Sequence, residues 1–479
     1  MWFRRLAGFA GLCVLAFLLI LSIGLAIYIA RLPDLQVWHT AILDAEFTED
    51  SPVSTFKEYL ALEDRLFAQL DEKVYKKTAP ATPDTVNRYR RGSLADPARW
   101  PTNWNRSFLL EAEHPRRVVL LLHGLTDAPY SLRHLALRLH RSGATVLGLR
   151  IPGHGTAPSG LTTVTWQDMA AAVKLAAKHL NKLGGGQPID IVGYSNGAAL
   201  ALHYTLQSIG NPSLPHVRHL VLLSPQIAIS PAAGLAVWQA RLGHLLGLRK
   251  LEWNAVHLEY EPFKYGSFAV NAAALAHRIT LENQRRLREL AEAGKLGQMP
   301  PILSFSSVID ATVEAPAVIT ELFNRLPAGG HELVLFDFNR QAGVEPLLNW
   351  NPDPMLDAVR RASPRHYGLT LVTNSDRQSL AVMAAHWPPD QQSATRTPLG
   401  LSWPKEVYSL SHVALPFASD DSVYGGFPAG PGPGIHLGNL AWRGERGALR
   451  ISASSQLRLR WNPFYSWMED RAVGFLELN

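Results

Sequence analysis

The pattern of apolar and polar positions divides the chain into distinct stretches. Residues 6–30 carry no charged side chain. As a helix rising about 1.5 Å per residue they would extend about 37 Å, enough to cross a hydrocarbon core of about 30 Å with some tilt. Arg4 and Arg5 precede this run, Arg31, Leu32 and Pro33 follow it, and Trp2 and Tyr28 stand where interfacial aromatics belong. A cleaved signal peptide has a shorter apolar region, about 7 to 15 residues, closed by small residues. Tyr28-Ile29-Ala30 does not fit that pattern. Residues 1–33 therefore read as a transmembrane signal anchor.

Residues 34–115 are mixed and read as a linker plus N-terminal strands, one of them at 107–113. From 117 the rhythm changes. Arg117-Val-Val-Leu-Leu-Leu-His123 is an apolar run bounded by turn residues, as in a parallel strand buried on both faces. A helix is predicted at 131–142 and a strand at 145–149. Another helix begins after Thr165, with Asp168 completing a capping pair, and ends at the glycines 184–186. A strand at 189–192, a helix at 196–209, and strands at 219–223 and 302–306 follow. Alternation of this kind predicts a mostly parallel sheet covered by helices on both faces.

Two long stretches, about 226–300 and 339–406, interrupt the alternation and read as insertions. The resulting division is an anchor at 1–33, linker and first strands at 34–115, and a first core part at 116–225. A cap or lid follows at 226–300, a second core part at 301–338 and a second insertion at 339–406. The remainder, 407–479, holds a last core strand at 407–411, a histidine loop and a C-terminal extension.

Composition narrows the functional classes. Charged residues make up 18% of the chain, and the net charge of +6 comes from scattered Lys and Arg with no long basic run. A mildly basic surface explains this better than nucleic-acid binding, for which no motif is present. The single cysteine, Cys13, lies in the apolar N-terminal run. It can form neither an internal disulfide nor a Cys-based zinc site. Arg4 and Arg5 outweigh Arg31, after which Asp34, Asp44, Glu46 and Glu49 appear. The expected topology has the N-terminus cytoplasmic and the rest exported, periplasmic in a Gram-negative host.

The chemistry centres on Gly193-Tyr194-Ser195-Asn196-Gly197, a G-x-S-x-G pattern. Alone the pattern is weak. Here a predicted strand precedes it and a predicted helix follows, the setting of a nucleophile elbow, with Gly193 and Gly197 permitting the sharp turn. A serine hydroxyl needs a base to take its proton and pre-aimed donors for the oxyanion. The backbone N–H groups of Asn196 and of Leu125, in His123-Gly-Leu-Thr-Asp127, are the candidate donors. His123 precedes the serine, which argues against it as the base. Asp310, beyond the strand 302–306, is the candidate acid, with Asp337 as runner-up. His412, directly after 407–411, is the candidate base, with His436 the later alternative.

Together these residues resemble the α/β-hydrolase family, and within it the branch of monoacylglycerol lipases, carboxylesterases and serine aminopeptidase-like proteins. The resemblance rests on His123-Gly-Leu-Thr126, Pro152-Gly-His-Gly155, Gly193-Tyr-Ser-Asn-Gly197, Asp310-Ala-Thr-Val313 and Ser411-His-Val413. It implies a Ser195–Asp310–His412 triad acting on carboxylic esters through an acyl-enzyme, with no cofactor and no metal. It also implies a cap after the strand ending near Pro225. There Leu235-Ala-Val-Trp238, Leu242, Leu245, Leu246, Leu248 and Leu251 would suit acyl chains, and a charged amphipathic helix is expected at 283–292. The hundred residues between Asp310 and His412 depart from the family pattern, as does the extension 417–479.

The expected partners are a small-molecule or lipid ester and a membrane contacted through residues 6–30. Three other functions fit the same residues. A peptidase trimming N-terminal residues would need a carboxylate for the substrate amine, with Glu252, Glu259 or Glu261 available. An acyltransferase of the cell envelope would give products other than free acid. A non-catalytic binding protein on a hydrolase scaffold would usually lack one triad member.

Overall fold

Residues after Arg117 up to Leu122 are all apolar, and in the computed structural model they form a strand with every one of those side chains buried. The structure describes residues 2–82, 85–228, 248–310, 312, 314–428, 430, 432–439 and 452–478. The strands are β1 Phe108–Leu110, β2 Arg117–Leu122, β3 Ala144–Leu149, β4 Ile189–Tyr194, β5 Val217–Leu223, β6 Trp253–Ala255, β7 Phe268–Ala269, β8 Ile302–Ser307, β9 Glu332–Phe336, β10 Gly368–Asn374, β11 Ala381–Trp387 and β12 Thr395–Ser402. Ten of them build one sheet in the order β1-β3-β2-β4-β5-β8-β9-β10-β11-β12; β6 and β7 pair separately. From β3 to β10 neighbouring strands run parallel, whereas β1, β11 and β12 are antiparallel to their neighbours.

Alternation along β2 explains the layers. Val118, Leu120 and Leu122 belong to one apolar cluster, and Val119 and Leu121 to another. The first face is covered by the helices Trp166–Leu183, Asn196–Ser208 and Val270–Glu292, which supply Val173, Leu202 and Ile279. The second is covered by the helix Arg133–Arg141 and the C-terminal helix Tyr465–Phe475, through Leu135, Leu139, Met468 and Val473. The helix Trp166–Leu183 starts on the expected capping box, with Thr165 N–H and Asp168 Oδ2 2.8 Å apart and Asp168 N–H donating to Thr165 Oγ1 at 3.1 Å.

Several expectations are revised. The segment 339–406 is not a separate unit: its strands β10 to β12 extend the core sheet, β10 beside β9. Residues 407–411 are not a strand. With β10 already occupying the free edge of β9, this segment finds no strand partner, and its carbonyls accept from Asn339 instead. Asn339 N–H donates to Tyr408 O at 2.8 Å and Asn339 Nδ2 to Val407 O at 2.8 Å. The first strand covers only Phe108–Leu110 of 107–113. The helix expected at 283–292 starts earlier, at Val270, because its first half also buries apolar residues, among them Leu275 and Ile279. The cap residues Leu235 to Trp238, Leu242, Leu245 and Leu246 lie outside the described residues, while Leu251 is buried.

The helix Trp2–Arg31 includes a stretch, Gly11–Arg31, long and apolar enough to cross a membrane.

Candidate active site

β2 and β4 pair directly, Leu122 opposite Gly193, so the loops that follow them lie side by side at the carboxyl edge of the sheet. β3 lies on one side of β2 and β4 on the other, which makes this the point where strand order reverses, the usual location of ligand sites in open α/β sheets. Ser195 follows β4 and precedes the helix Asn196–Ser208. Its backbone sits at φ 53°, ψ −114°, outside the regions open to ordinary L-residues.

The surroundings hold it there. Ser195 N–H donates to Leu223 O at 2.9 Å, and Ser195 O accepts from Ala198 N–H at 3.0 Å and Gln226 N–H at 3.3 Å. The two glycines are required by close approach. A Cβ on Gly193 would stand 2.5 Å from Ala198 Cα; one on Gly197 would overlap Leu122 O and reach His123 O at 2.5 Å. Ser195 itself remains partly exposed.

In the loop after β2, Thr126 takes a positive φ of 64°, and Tyr265 N–H donates to its carbonyl at 2.8 Å. This turn leaves Leu125 partly exposed. Among the described residues, neither Leu125 N–H nor Asn196 N–H donates a backbone hydrogen bond. His123 is fully buried with both ring nitrogens engaged: Ile151 N–H donates to Nε2 at 3.1 Å, and Nδ1 lies 2.9 Å from Gly124 O. Nδ1 therefore carries the proton, and burial holds the ring pKa well below 6.5. His123 fixes the loop and has no nitrogen left to act as a base.

Asp310 follows β8, two strands from β4. Its Oδ1 accepts from Thr312 N–H at 2.8 Å and lies 3.4 Å from His412 Nδ1. Tyr194, the residue before Ser195, donates its hydroxyl to His412 O at 3.3 Å. No hydrogen bond joins Ser195 Oγ to His412 among the described residues. Burial lowers the pKa of His412; Asp310 opposes the shift, and the charges of Arg458 and Lys264 add to it.

The alternatives are occupied elsewhere. Asp337 holds Arg340 at 2.8 and 3.1 Å and accepts from Thr373 Oγ1 at 2.8 Å. His436 Nε2 is 2.6 Å from Gly425 O. Glu259 is fully buried and accepts from Gly266 N–H and Ser267 N–H, both at 2.9 Å. Glu261 binds Arg460 at 3.0 Å and accepts from Tyr424 OH at 2.8 Å. Glu252 lines a different cavity, with His39, Phe47 and Val164. Among the described residues no three His, Cys, Asp or Glu side chains could hold a metal.

Four contributors escaped the sequence analysis: Lys264, Tyr424, Arg458 and Arg460. Arg458 Nη2 lies 3.0 Å from His412 Nδ1, and Arg460 carries the Glu261 ion pair. No local pattern marks them, since their contacts are made across the fold.

Residues 113–321 match the model of the family described as serine aminopeptidase, S33. The fold is that of the α/β-hydrolases, resembling their monoacylglycerol lipase and esterase branch. The matched segment contains Ser195 and Asp310 but ends before His412. Over 85 residues the chain is 36% identical to the thermostable monoacylglycerol lipase of Bacillus sp. (strain H-257), which is 18% of this chain and 33% of that enzyme. The match thus spans about a third of that relative's length. Among solved structures, one from work on the metagenome-derived lipolytic enzymes LipS and LipT aligns at TM-score 0.37 and 19% identity, covering 54% of this chain and 98% of that one. The monoacylglycerol lipase of Paleococcus ferrophilus aligns at TM-score 0.37 and 16% identity, covering 48% and 88%.

Proposed function

We propose that this chain is a serine hydrolase that cleaves carboxylic esters, lipid-like or other, through a Ser195–Asp310–His412 triad. The observations that support the proposal are the strained Ser195 at the switch point and the Asp310–His412 pair, whose histidine carbonyl accepts from the hydroxyl of Tyr194, the residue before Ser195. Ser195 Oγ attacks the acyl carbon as His412 Nε2 takes its proton. Asp310 holds the proton on Nδ1 and stabilises the imidazolium that forms. Leu125 and Asn196 N–H groups receive the oxyanion, and water then releases the acid from the acyl-enzyme. The N-terminus of the helix Asn196–Ser208 favours the same negative charge.

Esters are favoured over peptides. An aminopeptidase needs a carboxylate directed at the substrate amine, and Glu259 and Glu261 are committed to partners of their own. The helix Trp2–Arg31 is assigned as a membrane anchor with its N-terminus cytoplasmic and the hydrolase exported. The test compares p-nitrophenyl esters of rising acyl length with aminoacyl-p-nitroanilides. Ester turnover well above amide turnover is the expected result; faster amide cleavage would overturn the ester assignment in favour of the peptidase.

A further inference from the structure

We propose that Lys264, Arg458 and Arg460 form a subsite for an anionic group, a carboxylate or phosphate, that the ester substrate carries close to its scissile bond. The inference rests on the ester-hydrolase reading and adds the substrate class.

A cavity of about 90 Å³ opens beside Val413, the residue after His412; Lys264, Arg458 and Arg460 line it together with the carboxylate of Glu261, Tyr424, Tyr260 and Phe417. That is more than the ~30 Å³ share of one water and suits a small charged group. Two of these three cations already hold a carboxylate. Arg460 is bound to Glu261 at 3.0 Å, with Nη2 donating to Tyr260 OH at 2.8 Å. Lys264 lies 3.4 Å from Asp127, whose own pKa burial pushes up to about 6. Arg458 is left over: among the described residues it meets no carboxylate, and its one polar contact is His412 Nδ1.

That contact is chemically at odds with catalysis. A guanidinium only donates, so at 3.0 Å it requires a bare Nδ1. Asp310, at 3.4 Å from the same atom, requires Nδ1 to carry the proton. The two partners exclude one another. With Arg458 in place, the proton of neutral His412 sits on Nε2, which then cannot accept the proton of Ser195. A cation at this position also opposes the imidazolium of the transition state. An anion entering the cavity offers Arg458 a better partner, frees Nδ1 for Asp310, and so couples recognition of the substrate to completion of the triad. A ligand shifts such an equilibrium only by its preference for one state. Here the preference is the charge-assisted bond from Arg458 to the anion.

The test uses the full-length chain in detergent micelles and two matched ester pairs. Octanoylglycerol against octanoylglycerol phosphate places the anion on the alcohol side; p-nitrophenyl butyrate against p-nitrophenyl hemisuccinate places it on the acyl side. One charged hydrogen bond predicts an advantage of about 10- to 100-fold in kcat/KM for an anionic member. Arg458→Gln and Lys264→Met should each reduce that advantage. Arg458→Gln should also speed the neutral ester and move the acid limb of its pH profile upward. Because Arg458 is exposed, turnover of the neutral ester reports that the variant is folded. Neutral esters cleaved with no anionic advantage, or an advantage that survives both substitutions, would overturn the subsite alone. Turnover of no ester by the wild type would overturn the ester-hydrolase reading as well.

Discussion

Asp310 Oδ1 lies 3.4 Å from His412 Nδ1, although strands β9 to β12 separate the two residues along the chain. Three of those strands lengthen the sheet past β9, and the chain then returns to the carboxyl edge without forming a further strand. If the pair works as proposed, Asp310→Asn allows the wrong imidazole tautomer and lowers kcat on an ester by about 10⁴-fold. Asp337→Asn breaks the Arg340 ion pair instead and should leave turnover near that of the wild type while lowering thermal stability. Steady-state rates of both variants decide between them; a reversal would transfer the acid role to Asp337.

The base must be neutral to accept a proton, and burial keeps the His412 pKa below 6.5. kcat/KM should therefore rise with pH through a midpoint below 6.5 and stay flat across neutral pH. Asp310 is the group that would move this midpoint up, and Arg458 and Lys264 are those that hold it down. A measured midpoint above 6.5 would mean that Asp310 outweighs burial and both cations.

Gly197 sits where a methyl group would overlap Leu122 O and press on His123 O, backbone atoms at the end of β2 and the start of the loop after it. Neither can swing aside as a side chain would. Gly197→Ala should cost about 3 kcal/mol, the upper end for overpacking, and misplace Leu125 N–H. Urea unfolding and ester turnover would both register the change. Wild-type stability and rate would show that the helix can shift without cost.

The C-terminal extension is part of the core. Phe464 is fully buried, stacks on Phe336 of β9 with ring centroids 5.8 Å apart, and meets Trp403 edge-on at 4.8 Å. Phe464→Ala should destabilise the protein by about 3 to 5 kcal/mol, measured by chemical denaturation of the detergent-solubilised chain. A loss below 1 kcal/mol would mean that the C-terminal helix covers the sheet without supporting it.

The sequence made the sheet between β2 and β8 readable because those strands are buried on both faces and appear as unbroken apolar runs, as in Val118 to Leu122. Ser195 was readable because strand, turn and helix follow one another within a few residues. The part after Asp310 was less so. β12 is the sheet edge, where exposed positions such as Thr395 and Arg396 interrupt the apolar pattern. Residues 407–411 look like a strand, yet their position is set by Asn339, far earlier in the chain. Arg458 left no trace, since its meaning lies in one contact to His412 across the fold.

The central claim is that Ser195 is an activated nucleophile with His412 as its base. A fluorophosphonate probe tests it most directly, applied to the full-length chain and to its Ser195→Ala and His412→Ala variants. The account predicts labelling of the wild type, none of Ser195→Ala, and strongly slowed labelling of His412→Ala. Equal labelling of the wild type and Ser195→Ala, or no labelling of a folded wild type, would contradict it.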